Sequence, residues 1–70
     1  MLKLSERLYS LRKERKLIQE NTAKELGISL KTYCRYEAGE REPNASVLVR
    51  MADFYGVTAD YLLGRTEERT

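Results

Sequence analysis

The sequence predicts an all-α fold, a compact arrangement of five short helices. Three observations carry that prediction. Apolar residues recur at three- and four-residue spacings and not in alternation, which is the period of a helix face. The four glycines, Gly27, Gly39, Gly56 and Gly64, stand singly, each just past such a segment, where helices commonly end. Ser29, Asn44 and Thr58 stand just ahead of others, where a side-chain oxygen can cap the free N–H groups of a helix start.

Helix 1 is expected over about residues 3–15, because Leu4, Leu8 and Leu11 fall on one face and Tyr9, Lys13 and Glu14 fall off it. Its stop is imperfect: Lys16 occupies the place where glycine would take a left-handed conformation without strain. Helix 2 is expected from Gln19 to Leu26, closed by Gly27, with a thin packing face of Ala23 and Leu26 beside Thr22. Ile28 and Ser29 then read as an apolar staple and an N-cap. Helix 3 follows from Leu30 to about Ala38, and Gly39 stops it. A polar loop leads to Asn44 and helix 4, Ala45–Tyr55, with Leu48, Met51, Ala52 and Tyr55 on one face. Thr58 starts a short helix 5, Ala59–Leu63, closed by Gly64. Residues 1–64 are expected to form one domain, and residues 65–70 a flexible polar tail.

Composition narrows the function. The chain has 70 residues, 41% hydrophobic and 34% charged, which fits a compact folded domain and opposes disorder. Its apolar runs are short, so no membrane span and no targeting segment is expected, and the cytoplasm is the expected compartment. One cysteine, Cys34, cannot form an internal disulfide. There is no histidine, so the commonest general base and metal ligand are missing, Cys34 has no imidazole to activate it, and no glycine-rich phosphate loop occurs. Neither an enzyme nor a cofactor or metal site is expected.

The charge is unevenly distributed. Residues 1–44 hold ten Lys/Arg against seven Glu, and residues 45–70 hold three against four acids. At about 100° per residue, helix 3 divides into a side with Tyr33, Tyr36 and Glu37 and a side with Lys31, Cys34, Arg35 and Ala38, with Leu30 and Thr32 on the flanks. Lys31 and Arg35 are like charges at i, i+4, a mildly unfavourable pairing, and no acid lies between Ile28 and Tyr36 to relieve it. Such a face suits either an external polyanion or plain solvation. Two short helices joined by a glycine-containing turn, the second basic outward and aromatic inward, form a helix-turn-helix pattern.

At this point the chain resembles the lambda-repressor/Cro-like (Xre-type) family. The resemblance runs through Leu11-Arg12-Lys13-Glu14, Gln19-Glu20, Ala23, Leu26-Gly27-Ile28-Ser29 and Tyr36-Glu37-Ala38-Gly39. It continues through Arg41-Glu42-Pro43, Leu48, Ala52-Asp53 and Tyr61-Leu62-Leu63-Gly64. It implies a five-helix fold, binding of double-stranded DNA with helix 3 in the major groove, and usually dimers. The chain departs from the pattern at Ile18, where a Thr or Ser cap is usual, at Thr22 in place of an aliphatic, at Tyr33 in place of Val or Ile, and at Leu30, often polar.

The residues expected at the DNA follow. Gln19 can reach a phosphate beside free backbone N–H groups, or serve as a plain polar helix start. Ser29 is first an N-cap and second a DNA contact, and Thr32 flanks it. Lys31 and Arg35 can reach base edges, Arg preferring guanine, and Leu30 can touch a thymine methyl. Arg41 and Asn44, in the loop after helix 3, are expected at the DNA backbone, with a solvated surface role the alternative for Arg41. Cys34 is expected on the exposed side as a small residue tolerated beside DNA.

Arg12 lies on the edge of helix 1's apolar face and Glu37 on that of helix 3, and charges there are seldom buried unpaired. An Arg12–Glu37 ion pair is therefore expected, as the resemblance also implies. The leading function is a sequence-specific transcriptional regulator, a repressor of phage or bacterial type. The alternative is an antitoxin or adaptor that uses the fold to hold a protein. A homodimer on a palindrome is expected, since one small domain makes few base contacts. Val47, Met51 and Phe54, with Val57, Tyr61 and Leu62, offer either an interface or a surface that helix 5 covers within the monomer.

Overall fold

The computed structural model describes residues 2–70. Five helices form: α1 (Leu2–Glu14), α2 (Gln19–Leu26), α3 (Leu30–Ala38), α4 (Ala45–Tyr55) and α5 (Ala59–Leu62), with no strand among the described residues. α1 begins and ends one residue before the expected 3–15 span, and α5 stops one residue before the expected Leu63. Both differences lie within ordinary end fraying.

Helix starts follow the sequence chemistry. The side chains of Ser29, Asn44 and Thr58 accept hydrogen bonds from the N–H groups of Thr32, Val47 and Tyr61. Ile18, at the start of α2, provides no side-chain cap. Helix ends use one device throughout. At the end of α1, Lys16 N–H reaches Lys13 O and Leu17 N–H reaches Arg12 O, both at 3.0 Å. The same doubled return follows α2, α3, α4 and α5, with a glycine at the turning position. Lys16 is the exception, held at φ 58 without glycine's freedom. Gly64 has a second reason to be glycine: a Cβ there would lie 2.6 Å from the Cβ of Lys3.

α1 packs on α3 and α5, α2 on α3 and α4, and α4 on α5. The core gathers Leu4, Leu8 and Leu11 from α1, Ala23 and Leu26 from α2, and Tyr33 and Tyr36 from α3. Val47, Met51, Ala52 and Tyr55 join from α4, and Tyr61 and Leu62 from α5. Thr22 is buried in this core, its hydroxyl donating back to Ile18 O at 3.0 Å. That bond makes a buried hydroxyl tolerable in the thin α2 contact. Tyr33 is fully buried in the same core, and its hydroxyl meets that of Tyr55 at 3.1 Å.

Of the two readings of the apolar stripe on α4, the structure shows burial within the monomer. Val47, Met51, Tyr61 and Leu62 are buried within the monomer, and Phe54 and Val57 are partly buried against the core. Leu48, expected in the core, is only partly buried, and Val49 is exposed. The physical reason is a rotation of α4 that a wheel cannot supply. α5 folds back on α4 and α1, and α4 buries Val47 and Met51 while Leu48 is only partly buried.

Residues 65–70, for which the sequence suggests a flexible tail, make specific contacts. The buried Arg7 guanidinium donates to Tyr61 O at 2.5 Å, to Thr66 O at 2.6 Å and to Glu67 at 2.9 Å, and stacks over the Tyr61 ring. Arg69 donates to both carboxylate oxygens of Glu14, at 2.7 and 2.9 Å, and its carbonyl accepts from Thr58 N–H at 2.8 Å.

Candidate nucleic-acid interface

The sorting of the arginines defines the interface. Arg7 is committed to the C-terminal segment as described. Arg15 donates to the carbonyls of Phe54 and Tyr55 at the end of α4, and Arg50 donates to Leu26 O at the end of α2, at 2.7 Å. A cation on the last carbonyls of a helix favours the negative end of its dipole. Arg12 donates through Nε to Glu37 at 2.7 Å, through a second nitrogen to the other carboxylate oxygen at 3.2 Å, and to Leu17 O at 2.8 Å. Its hydrogen bond to Glu37 raises its pKa above the ordinary guanidinium value, more than burial lowers it. The structure thus brings Arg12 and Glu37 together, tying α1 to α3.

Lys31, Arg35 and Arg41 are spent on nothing. All three are exposed and none makes an ion pair among the described residues. Lys31 and Arg35 stand one turn apart on the face of α3 turned away from Tyr33 and Tyr36, which are buried. Leu30, at the start of the same helix, is 42% exposed. The outer surface of α3 therefore offers two cations unpaired among the described residues and one exposed leucine at its N-terminal end.

The remaining expected residues divide by use. The Ser29 hydroxyl accepts from Thr32 N–H at 3.1 Å and donates to Thr32 Oγ1 at 2.8 Å. Asn44 accepts from Val47 N–H at 2.9 Å. These side chains first complete helix starts. Gln19, the opening residue of α2, is not free: its Nε2 donates to Glu37 Oε1 at 3.2 Å, and its Oε1 accepts from the Cys34 thiol at 3.3 Å. Cys34 is accordingly half-buried and not on the fully exposed side expected for it. The contact arises because α2 starts against the flank of α3, a fact of helix crossing outside the reach of a wheel for α3 alone.

Sequence reasoning also missed Arg7. The signal was present, since Arg7 follows Leu4 by three residues and so borders the apolar face of α1, as Arg12 does four residues after Leu8. Its partners are backbone carbonyls and an exposed acid near the C-terminus, which no local pattern announces.

A helix-turn-helix family model matches residues 8–62. The chain belongs to that family. Its match spans α2 to α5 in full and the second half of α1. Among curated relatives, the chain is 42% identical over 66 residues to the uncharacterized HTH-type transcriptional regulator YqaE of Bacillus subtilis, covering 93% of this chain and 57% of that protein. It is 42% identical over 64 residues to the cryptic phage CTXphi transcriptional repressor RstR of Vibrio cholerae, covering 91% of this chain and 57% of the repressor. Among solved structures, the DNA-binding domain of the P22 C2 repressor, residues 1–76, superposes with a TM-score of 0.80 at 32% identity. That match covers 86% of this chain and 79% of the repressor domain. The lambda-repressor-like, five-helix fold expected from the sequence is the fold observed. The chain spans a little over half the length of these curated relatives. Among the described residues no helix is long and apolar enough to cross a membrane.

Proposed function

We propose that this chain is the DNA-binding part of a transcriptional regulator, of phage or bacterial repressor type, reading a specific duplex site with α3 in the major groove. The single observation that carries the reading is the commitment of Arg7, Arg12, Arg15 and Arg50 to internal partners while Lys31, Arg35 and Arg41 stay exposed and unpaired. The names of the relatives, transcriptional regulators and repressors, agree with it.

In this reading Lys31 and Arg35 donate to base edges, with Arg35 suited to guanine, and Leu30 packs on a thymine methyl. Gln19 meets a phosphate beside the uncapped start of α2, and Arg41 and Asn44 approach the backbone from the loop after α3. Ser29 and Thr32 serve the helix start and stand at the groove edge. One such domain makes few base contacts, so two copies on a palindrome, with half-sites about 34 Å apart, supply the discrimination a genome demands. In this reading the regulator acts where bacterial or phage DNA lies, in the cytoplasm.

The test is selection of a duplex from a random library, followed by titration of variants on it. Arg35→Ala is expected to relax preference at one base position and to cost about 1–3 kcal/mol. Equal losses on selected and random duplexes would remove its reading role. Affinity that falls steeply with salt supports DNA as the partner, whereas a salt-insensitive complex with a protein and no selected duplex would favour the adaptor reading. A one-to-one complex with equal affinity for palindrome and half-site would refute the dimer.

A further inference from the structure

We propose that Cys34 is a positioning residue for DNA binding, its thiol holding the Gln19 amide so that one N–H of that amide faces a backbone phosphate. This rests on the reading that Gln19 meets the phosphate, and it assigns Cys34 and Glu37 the task of orienting it.

A glutamine amide has an oxygen end that only accepts and a nitrogen end that only donates. α3 meets both ends with side chains of the matching kind, one turn apart. The Cys34 thiol donates to Oε1 at 3.3 Å, and the Glu37 carboxylate accepts from Nε2 at 3.2 Å. Turning the amide over would set its oxygen against the carboxylate and its NH2 against the thiol. The carboxylate contact would become repulsive, so one orientation is selected. Glu37 is itself held by the Arg12 guanidinium, which grips both of its oxygens. The network therefore runs from α1 through α3 to the first residue of α2 without a loose joint.

Nε2 carries two hydrogens, and Glu37 takes one. The other has no acceptor among the described residues. Gln19 opens α2 directly after Ile18, which offers no capping side chain, so that hydrogen lies at a helix start whose first N–H groups are also open. A long side chain fixed in advance loses less rotamer freedom on binding than a free one. Cys34 thus acts on DNA through Gln19, without itself touching a base.

The experiment titrates a library-selected duplex with the wild type, Gln19→Ala, Cys34→Ala, Cys34→Ser and the Gln19→Ala/Cys34→Ala pair, with melting temperatures recorded for all. Cys34→Ala is expected to weaken binding about 2- to 10-fold, the range for one hydrogen bond. Cys34→Ser, which keeps a donor, should retain most of the affinity. The double variant should bind no worse than Gln19→Ala. In the free protein, Cys34→Ala should shift the Gln19 side-chain amide resonances, which a role confined to packing elsewhere would leave in place. A Cys34→Ala loss that persists in full in the Gln19→Ala background overturns the proposal. So does an unchanged affinity for Cys34→Ala when Gln19→Ala is weakened, an outcome that leaves the phosphate role of Gln19 standing. An unchanged affinity for Gln19→Ala removes the phosphate role and this proposal together.

Discussion

Replacing Arg12 with Ala tests how α1 is locked to α3. The substitution deletes three hydrogen bonds, two to Glu37 and one to Leu17 O. It also strands a carboxylate whose side chain is only 4% exposed. Gln19 and the Tyr33 hydroxyl still face Glu37 as hydrogen-bond donors, and both are neutral. Removing one partner of a buried ion pair costs about 3–5 kcal/mol, because the desolvation of the other charge is no longer offset. A 70-residue domain carries about 4–10 kcal/mol in total, so the loss approaches half of it or more. At about 4–8 °C per kcal/mol for a domain of this size, the melting temperature should fall by at least about 12 °C. Urea and thermal unfolding, followed by helical circular dichroism, measure both quantities. The paired change Arg12→Met/Glu37→Leu, which removes the charges together, should recover most of the loss. A loss under about 1 kcal/mol for Arg12→Ala is what an exposed pair gives, and it would refute the claim that this pair holds the fold.

Three further outcomes are expected. Lys16→Gly relieves a left-handed non-glycine residue and should stabilise the domain by about 1 kcal/mol in urea unfolding; a destabilisation would show that the Lys16 side chain contributes more than its backbone costs. The Tyr33 and Tyr55 phenols are pushed above the ordinary tyrosine range, first by burial. The folded state therefore keeps protons that the unfolded chain releases, so stability is complete below pH about 10 and falls as pH rises beyond it. Tyr55→Phe should flatten that alkaline loss, and an unchanged slope would argue against the buried pair. Arg69→Ala should raise the Glu14 carboxyl toward its ordinary value, because the hydrogen bond from Arg69 holds it down; a carbon-detected pH titration of Glu14 that does not move would show that the C-terminal contact is absent in solution.

The helices were legible in the sequence because their signals are local. Leu4, Leu8 and Leu11 mark a buried face, the caps at Ser29, Asn44 and Thr58 lie beside the N–H groups they serve, and the turning glycines lie within a few residues of the carbonyls they close. Even the strained Lys16 could be anticipated, since the position after α1 requires a left-handed residue and the sequence provides none of the usual ones. The basic outer face of α3 was legible for the same reason: i, i+4 spacing places Lys31 and Arg35 together whatever the rest of the chain does.

What only the tertiary structure decided is how those faces meet. Helical periodicity gives each element a direction but no crossing angle and no rotation against its neighbours. The burial of Val47 and the only partial burial of Leu48 depend on how α4 is rotated against the core. The meeting of the Tyr33 and Tyr55 hydroxyls, 22 residues apart in the chain, depends on how the rings of α3 and α4 reach across the core. The Arg7 clamp joins residues more than fifty positions apart. The grip of Cys34 and Glu37 on Gln19 depends on α2 starting against the flank of α3. A polar side chain takes whichever partner packing brings within about 3 Å, and that partner is chosen by the whole fold, not by the residues beside it in the sequence.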